Sequence, residues 1–424
     1  MKRKLILGIA LILTTCVTNV IANEFFSENI NGFIEARSSI KFNEIFQQNN
    51  RMAELRLQVN TEQEIADVTL NWVTDFVVDS AVPRRDIDFE SGAGVIDQRQ
   101  LNMTFPLTDN IDVKLGRQIL TWGTGDTTFI NDLFPKDYQS FYLGRNDEYL
   151  KAPSDALKIS VFSDFINANF VYTPRFDADR YISGERLSFF DASQLNYRDK
   201  NNPIEVNKPD KWFSDDELAI RLYQNVDIVE AALYFYEGYR KSPAGVDQSS
   251  GRFIFPKLKV YGASARSPLF SGIANIEAGY YQSHKASKLN PFLPNSDLRL
   301  LIGFEKAVAK ELTAGFQYDL TRMLDYSAYR NSLPEDAIRE EEYRQVVTVR
   351  LTKMLLQQKL RLSLFNFFEW SNKDGYLRFN VLYKLADDLG IEGGGNYFYG
   401  KKDHTSFNQF KKNNNFYTAM RFSY

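Results

Sequence analysis

Along most of the chain, apolar and polar residues alternate one for one. Successive side chains of a β-strand point to opposite faces, so this is the period of strands with one apolar face. Over Met52–Asn60, Ala53, Leu55, Leu57 and Val59 stand against Glu54, Arg56 and Gln58. Leu157, Ile159 and Val161 face away from Lys158 and Ser160, and Leu218, Ile220 and Leu222 from Arg221 and Tyr223. Leu298, Leu300, Ile302 and Phe304 oppose Arg299 and Glu305, while Ala314, Phe316, Tyr318 and Leu320 oppose Gln317 and Asp319. Val347, Val349 and Leu351 oppose Thr348 and Arg350, and Leu377, Phe379, Val381 and Tyr383 oppose Arg378, Asn380 and Lys384. The pattern predicts about eighteen strands of roughly 8–16 residues. They begin near Gly32, Asn50, Glu64, Gly92, Asn110, Asp155, Ala168, Asp216, Val226, Phe253, Gly272, Ser296, Lys310, Glu342, Gln358, Gly375, Leu389 and Asn413.

The connections alternate in length. Short ones fall at Thr108–Asn110, Ser163–Asn167, Gln224–Asn225, Val308–Lys310 and Ala386–Asp388. Long ones fall at Ser80–Ser91, Gly123–Ser154, Pro174–Asp215, Lys241–Arg252, Ser283–Asn295, Asp325–Glu341 and Lys401–Lys412. Short turns at one end and long loops at the other, with an even strand count, are the pattern of an outer-membrane barrel. All 13 prolines fall in loops, turns or strand ends, as a ladder that needs every N–H requires. The competing all-β readings fit less well. A propeller repeats at a fixed period, which the chain lacks, and a sandwich rarely needs so long a single domain. The expected fold is all-β, one transmembrane antiparallel barrel of about 18 strands with long extracellular loops.

Two connections stand out, at 123–154 and 174–215. Gly123–Pro153 follows a strand read over Ile111–Trp122 and precedes one read over Asp155–Phe162. It has no sustained period, and structureless loops beyond about 12–15 residues are usually functional or disordered. Disorder needs low hydrophobicity, yet this loop carries Phe129, Ile130, Leu133, Phe134, Tyr138, Phe141, Tyr142, Leu143, Tyr149 and Leu150. It is expected to pack against the wall. Pro174–Asp215 is more polar and less suited to folding inside.

The address is written at the N-terminus. Met1-Lys2-Arg3-Lys4, the apolar run Leu5–Leu13 and Val20-Ile21-Ala22 read as a signal peptide over 1–22, removed after Sec-type export. Leu13-Thr14-Thr15-Cys16 offers a lipoprotein-type alternative, with Thr where a smaller residue is usual. Residues 23–424 form the barrel in this reading. Cys16 is the single cysteine and leaves with the signal, so no disulfide or thiolate metal site is expected. Losing Lys2, Arg3 and Lys4 takes 51 basic and 54 acidic residues to 48 and 54, a net charge of −6. That balance points away from nucleic acid as a partner.

The last residues put Phe416, Thr418, Met420, Phe422 and Tyr424 on one face, against Tyr417, Ala419, Arg421 and Ser423. The aromatic end with Phe422 two before it resembles the C-terminal signal of Gram-negative outer-membrane barrels. Gly116-Arg117-Gln118 followed by Trp122-Gly123 resembles porin-type and alginate-exporter-type barrels. The resemblance implies an outer-membrane location, contact with outer-membrane lipid and delivery by the barrel-assembly machinery through the C-terminal strand. A homo-oligomer is left open by it.

If one face meets lipid, the other lines the lumen. The lumen list is basic at Arg56, Lys158, Arg221, Arg299, Arg350, Arg361, Arg378, Lys384 and Arg421. It is acidic at Glu54, Glu230, Glu277, Glu305 and Asp319. Rows of Arg and Lys favour anions in a pore; the plainer alternative is that these charges only pair across strands. Barrels of this size can hold an inward-folded loop. The candidate constriction residues are Trp122, Asp126, Asp132, Asp137, Arg145, Asp147 and Glu148, the carboxylates facing a basic wall. Catalytic signals are thin. His284 and His404 are the two histidines, and Ser283 and Ser406 near them do not make a triad without a third group. Gly123-Thr124-Gly125 lacks a dinucleotide fingerprint, since position 128 is Thr128. No metal cluster, cofactor or enzymatic activity is expected. The reading is a channel for a small solute or exported product; the alternative is a binding or adhesion barrel acting through its outer loops.

Overall fold

The computed structural model describes residues 30–42, 50–81, 86–283 and 290–424. The expected signal peptide at 1–22 and His284 lie outside the described residues. One 18-stranded antiparallel sheet closes on itself. Its first strands are β1 (Ile30–Lys41), β2 (Asn50–Ile65), β3 (Val68–Asp79), β4 (Ile96–Thr108), β5 (Ile111–Gln118) and β6 (Ser154–Val161). Next come β7 (Asn167–Thr173), β8 (Glu217–Val226), β9 (Val229–Tyr239), β10 (Lys257–Leu269), β11 (Gly272–Ser283) and β12 (Asp297–Ala309). The last are β13 (Leu312–Met323), β14 (Tyr343–Leu355), β15 (Leu360–Glu369), β16 (Asp374–Lys384), β17 (Leu389–Tyr399) and β18 (Asn415–Ser423). Each strand pairs with its chain neighbour, and β18 closes the circle on β1 with Glu35 opposite Arg421 and Ile34 opposite Phe422.

The alternation decides which face is which. Leu298, Ile302, Phe316, Val381, Ile391 and Met420 are exposed on the outside. Asp75, Glu277, Thr348 and Asn380 are buried on the inside. That is the reverse of a water-soluble protein, and a barrel with an apolar belt outside and a polar interior is built to sit in a bilayer.

A loop occupies part of the interior. Between β5 and β6 the chain leaves the wall at Ile119 and returns at Ser154, a longer excursion than the 123–154 expected from sequence. β5 ends at Gln118, not Trp122. Gln118 is the last residue in register, opposite Ser154, and its Nε2 donates to Ala156 O at 2.8 Å. Beyond it Leu120 and Trp122 turn into an apolar cluster with Ile130, Phe134, Tyr234 and Tyr281. Trp122 meets Phe134 edge-on at a ring distance of 4.9 Å. The alternating look of Ile119–Trp122 thus comes from a loop that buries alternate residues.

The excursion contains one short α-helix, α1 (Tyr138–Leu143), followed by a 3-10 turn at Asp147–Leu150. Asp137 caps it, accepting from Ser140 N at 2.7 Å and Ser140 Oγ at 2.7 Å. Gly144 ends it at φ 84°, and a Cβ there would come within 2.5 Å of the Tyr417 ring. Glycine is required there by the backbone angle and by the space. Phe141 and Tyr142 of α1 enter a second cluster with Phe367, Tyr376, Phe398 and Phe407.

The connection from β7 to β8 departs from expectation. Although polar overall, its first part packs down at the outer mouth. Phe176 is buried with Tyr239 and Phe255, and Leu187 is buried against Met52 and Leu143 of α1. Arg180 is buried and pairs with Asp97 at 2.6 Å and with Asp137 at 3.3 Å. A buried charge with both partners in place can be carried inward, which composition alone does not reveal.

Candidate functional site in the barrel lumen

The loop 119–153 crosses the lumen and is held at its rim, its tip and its return. At its root Asp132 accepts from Thr121 Oγ1 at 2.8 Å and pairs with Lys136 at 3.0 Å and Lys151 at 3.3 Å. Burial pushes the Lys136 ammonium below its ordinary range, with Asp132 opposing the shift.

Glu277, inward on β11 and 1% exposed, holds the far side. Its Oε1 accepts from Gly125 N at 2.9 Å, from Thr124 Oγ1 at 2.9 Å and from Thr124 N. Its Oε2 accepts from Asn131 N at 3.1 Å and Asn131 Nδ2 at 3.0 Å. Charge-assisted bonds of this kind are the strong ones. Neighbouring Asn275 donates to Thr124 Oγ1 at 3.0 Å, and Tyr281 OH donates to Ile130 O at 2.5 Å. Replacing Glu277 with Ala removes all five acceptor contacts and leaves backbone donors unpaired, each costing about 1–3 kcal/mol. The expected outcome is a folded barrel whose loop amides at Thr124, Gly125 and Asn131 exchange faster with deuterium. Unchanged exchange there would mean that the tip is held by other contacts.

The return half meets the opposite wall. Arg350 of β14 pairs with Asp147 at 3.2 Å and with Asp126 at 3.5 Å. Arg378 of β16 pairs with Asp147 at 3.2 Å and donates to Arg145 O at 2.7 Å. Arg421 of β18 joins Glu148 at 2.9 Å and Glu35 at 2.9 Å. Arg37 of β1 donates to Gly144 O at 2.6 Å while pairing with Glu35 at 2.8 Å and Glu392 at 2.6 Å. Arg145 reaches Glu54 at 2.5 Å, and Tyr149 OH donates to Asp75 at 2.6 Å. Arg99 of β4 donates to Lys151 O at 2.7 Å.

Of the residues singled out from sequence, Arg350, Arg378, Arg421, Asp126, Arg145, Asp147 and Glu148 come together at the loop–wall seam. Asp132 and Asp137 do not reach the wall arginines of the list: Asp132 binds the loop's own lysines, and Asp137 caps α1 and holds Arg180. Arg56 is tied to Glu54 at 2.8 Å and to Asp75. Arg299 pairs with Asp297 at 2.7 Å and lies over the Tyr281 ring at 3.7 Å. Arg221 pairs with Glu230 at 2.7 Å and lies over Tyr223. Lys158 stands in register beside Lys114. The lumen also holds Glu35, Arg37, Asp75, Asp97, Arg99 and Glu392, which the alternation read from sequence does not single out. Phe33-Glu35-Arg37-Ser39 alternating with Ile34-Ala36-Ser38 carries the signal for the first two.

The loop separates two spaces. On the outer side a cavity of ≈ 460 Å³ is bounded by Glu54, Asp137, Arg145, Asp177, Arg180 and Arg186 among others. Asp177 in this chamber accepts from Ser154 Oγ at 2.8 Å and Asp155 N at 2.9 Å. Burial pushes its carboxyl up to about 6, against the pull of Lys241. On the side of the short turns a cavity of ≈ 320 Å³ is bounded by Arg350, Arg361, Arg378 and Arg421, with Asp147, Glu148 and Glu392 opposing them. Arg361 is exposed into this space with no ion-pair partner among the described residues.

No family model matches the chain, and no curated protein matches it. Solved structures do. OccAB1 of Acinetobacter baumannii superposes with a TM-score of 0.52 and 10% identity, over 93% of this chain and 95% of that one. OccD3 (OpdP) of Pseudomonas aeruginosa gives a TM-score of 0.52 and 10% identity, over 94% of this chain and 91% of that one. The fold is that of a Gram-negative outer-membrane, porin-like barrel. Identity this low speaks for the fold alone. Barrels of this architecture span the outer membrane with their short turns in the periplasm and their long loops outside. The inner cavity of this porin-like barrel is therefore its periplasmic chamber, and the larger one its outer vestibule.

Proposed function

We propose that the chain is an outer-membrane channel for small solutes that prefers anions, with loop 119–153 as its constriction. The observation that carries this is the periplasmic chamber. Four arginines, Arg350, Arg361, Arg378 and Arg421, face three carboxylates, Asp147, Glu148 and Glu392, in one polar space against the loop. Rows of arginine in a pore lower the barrier for anions and raise it for cations. Most wall charges are paired, as the plainer reading holds, so selectivity rests on the excess, above all on Arg361. The loop's seam with the wall sets the width available to solute. C-terminal Phe422-Ser423-Tyr424 closes the barrel, and we read it as the element the assembly machinery recognises. The signal peptide over 1–22 belongs to the same proposal.

A second reading has one observation in its favour. The outer loops carry a small sheet of their own, Val206–Asn207 and Gly245–Val246 each paired with Phe253–Ile254. Such an ordered outer surface suits a barrel that binds rather than conducts.

Reversal potentials across planar bilayers in a salt gradient test the anion preference. Arg361→Ala combined with Arg350→Ala is expected to move the reversal potential toward cation preference, while Lys200→Ala in an outer loop leaves it in place. An unshifted potential in the double variant would remove the arginines from the selectivity of the pore.

A further inference from the structure

We infer that the periplasmic rim beneath β6 to β11 is seated in lipid, its apolar turns continuing the lipid-facing belt downward, which at β6 and β7, of 8 and 7 residues, the wall itself leaves too short. β7 has 7 residues, and at about 3.3 Å per residue and roughly 40° of tilt these cover about 18 Å of a belt about 25 Å tall. The shortfall cannot be met at the outer end. There the outer face of the wall turns charged, with Arg117 paired to Asp155 at 3.1 Å and Tyr172 OH donating to Asp216 at 2.9 Å. Below them the outward residues of β6 are only Leu157, Ile159 and Val161.

The inner end supplies what is missing. Phe165, at the apex of the turn 162–166, is 91% exposed, and Phe162 and Ile166 are exposed beside it. The turn is ordered: Ser163 Oγ accepts from Phe165 N at 3.3 Å and Ile166 N at 3.2 Å. Val226 and Ile228 at the next turn, and Leu269 and Phe270 at the one after, are exposed as well. Because β7 pairs with β8 and β9 with β10, these three turns stand side by side. Phe270 and Ser271 hold φ of 48° and 58°, a hairpin geometry that ordinarily selects Asn, Asp or Gly. A phenylalanine kept there at a backbone cost argues that its side chain is wanted at the rim. The other turns carry exposed apolar residues too, at Ile65, Leu107, Val308, Leu356 and Leu385, beside charge or amide at Asp67, Asp109-Asn110, Lys310-Glu311, Gln357-Gln358-Lys359 and Asp387-Asp388; what sets the arc apart is Phe165 and Phe270, the two most exposed large apolar side chains among the described residues. Asp164 and Asp227 on the apolar turns limit the depth, since they need headgroup or water. The arc therefore rests at the hydrocarbon boundary, continuous with the lipid-facing side of the wall, which favours lipid over a protein partner.

The test uses the full barrel in phosphatidylcholine vesicles, in a Cys16→Ser background. Single cysteines replace Phe165, Ile228 and, across the barrel on the same rim, Asp387, and each is labelled with an environment-sensitive NBD fluorophore. Heat-modifiable migration confirms folding, and two reporters in the arc cover the failure of either one. The Phe165→Cys and Ile228→Cys labels are expected to emit to the blue and to be quenched several-fold more by doxyl groups on lipid tails than by aqueous iodide. The Asp387→Cys label is expected to show the reverse. Arc labels quenched mainly by iodide would overturn the proposal. A blue emission that disappears on diluting protein into lipid would also overturn it, in favour of contact between copies of the chain.

Discussion

Excising Asp126–Lys151 and bridging the gap with a short Gly/Ser linker is expected to raise single-channel conductance several-fold while leaving the barrel folded. The sheet does not depend on the segment, since β5 and β6 stay paired from Ile111 and Val161 up to Gln118 and Ser154. What leaves is the crossing itself, with the Asn131 bonds to Glu277 and the contacts to Arg350, Arg378, Arg421 and Arg37. Charge moves in a defined direction too. The segment carries the carboxylates Asp126, Asp132, Asp137, Asp147 and Glu148 and the cations Lys136, Arg145 and Lys151, so 3 − 5 = −2 is removed. Arg350 and Arg378 lose their paired carboxylates outright. Anion preference should therefore rise along with conductance. A folded deletion variant that conducts like the parent in the same salt would place the loop outside the conducting path.

The second large effect is on stability. Phe316 is 48% exposed on the outer face, flanked in register by Phe304 and Val349, and its chain neighbour Gln317 is 8% exposed on the inner face. Arginine on the lipid face near the midplane costs roughly 2–4 kcal/mol, whereas lumen positions mainly tune selectivity. Phe316→Arg and Val349→Arg should therefore lower the unfolding free energy in lipid vesicles by about that amount. Gln317→Arg and Thr348→Arg, beside a small inner cavity, should cost far less. Equal losses at the paired positions would contradict the assigned faces.

The same alternation explains how much could be read in advance. A slip of one residue exchanges the two faces of a strand, so a membrane barrel must write its faces into every strand, and the starts at Asn50, Ile111, Gly272 and Leu389 stand in the sequence within a residue. Interruptions blur the signal. The register shift opposite Val73 and Thr74 places an extra residue at Arg99, so that Asp97 and Arg99 face inward while Leu101 and Met103 face outward, and the count on β4 does not carry across it. The helix of six residues after Asp137 is too short to show a period. The docking of loop 119–153 is less legible still, because its partners are remote: Glu277 from Thr124, Arg378 from Asp147, Glu54 from Arg145. Each is an ordinary charge until the barrel closes and brings it opposite its mate. Arg180 shows the opposite failing, where a polar composition concealed a buried, doubly paired cation.

If solute passes through this lumen, the unmodified protein must carry current. Reconstituted into planar bilayers in potassium chloride, the folded barrel should give discrete conductance steps, with a salt-gradient reversal potential on the anion side. A barrel shown to be folded and inserted that gives no steps would contradict the channel account and favour a binding surface built on its outer loops.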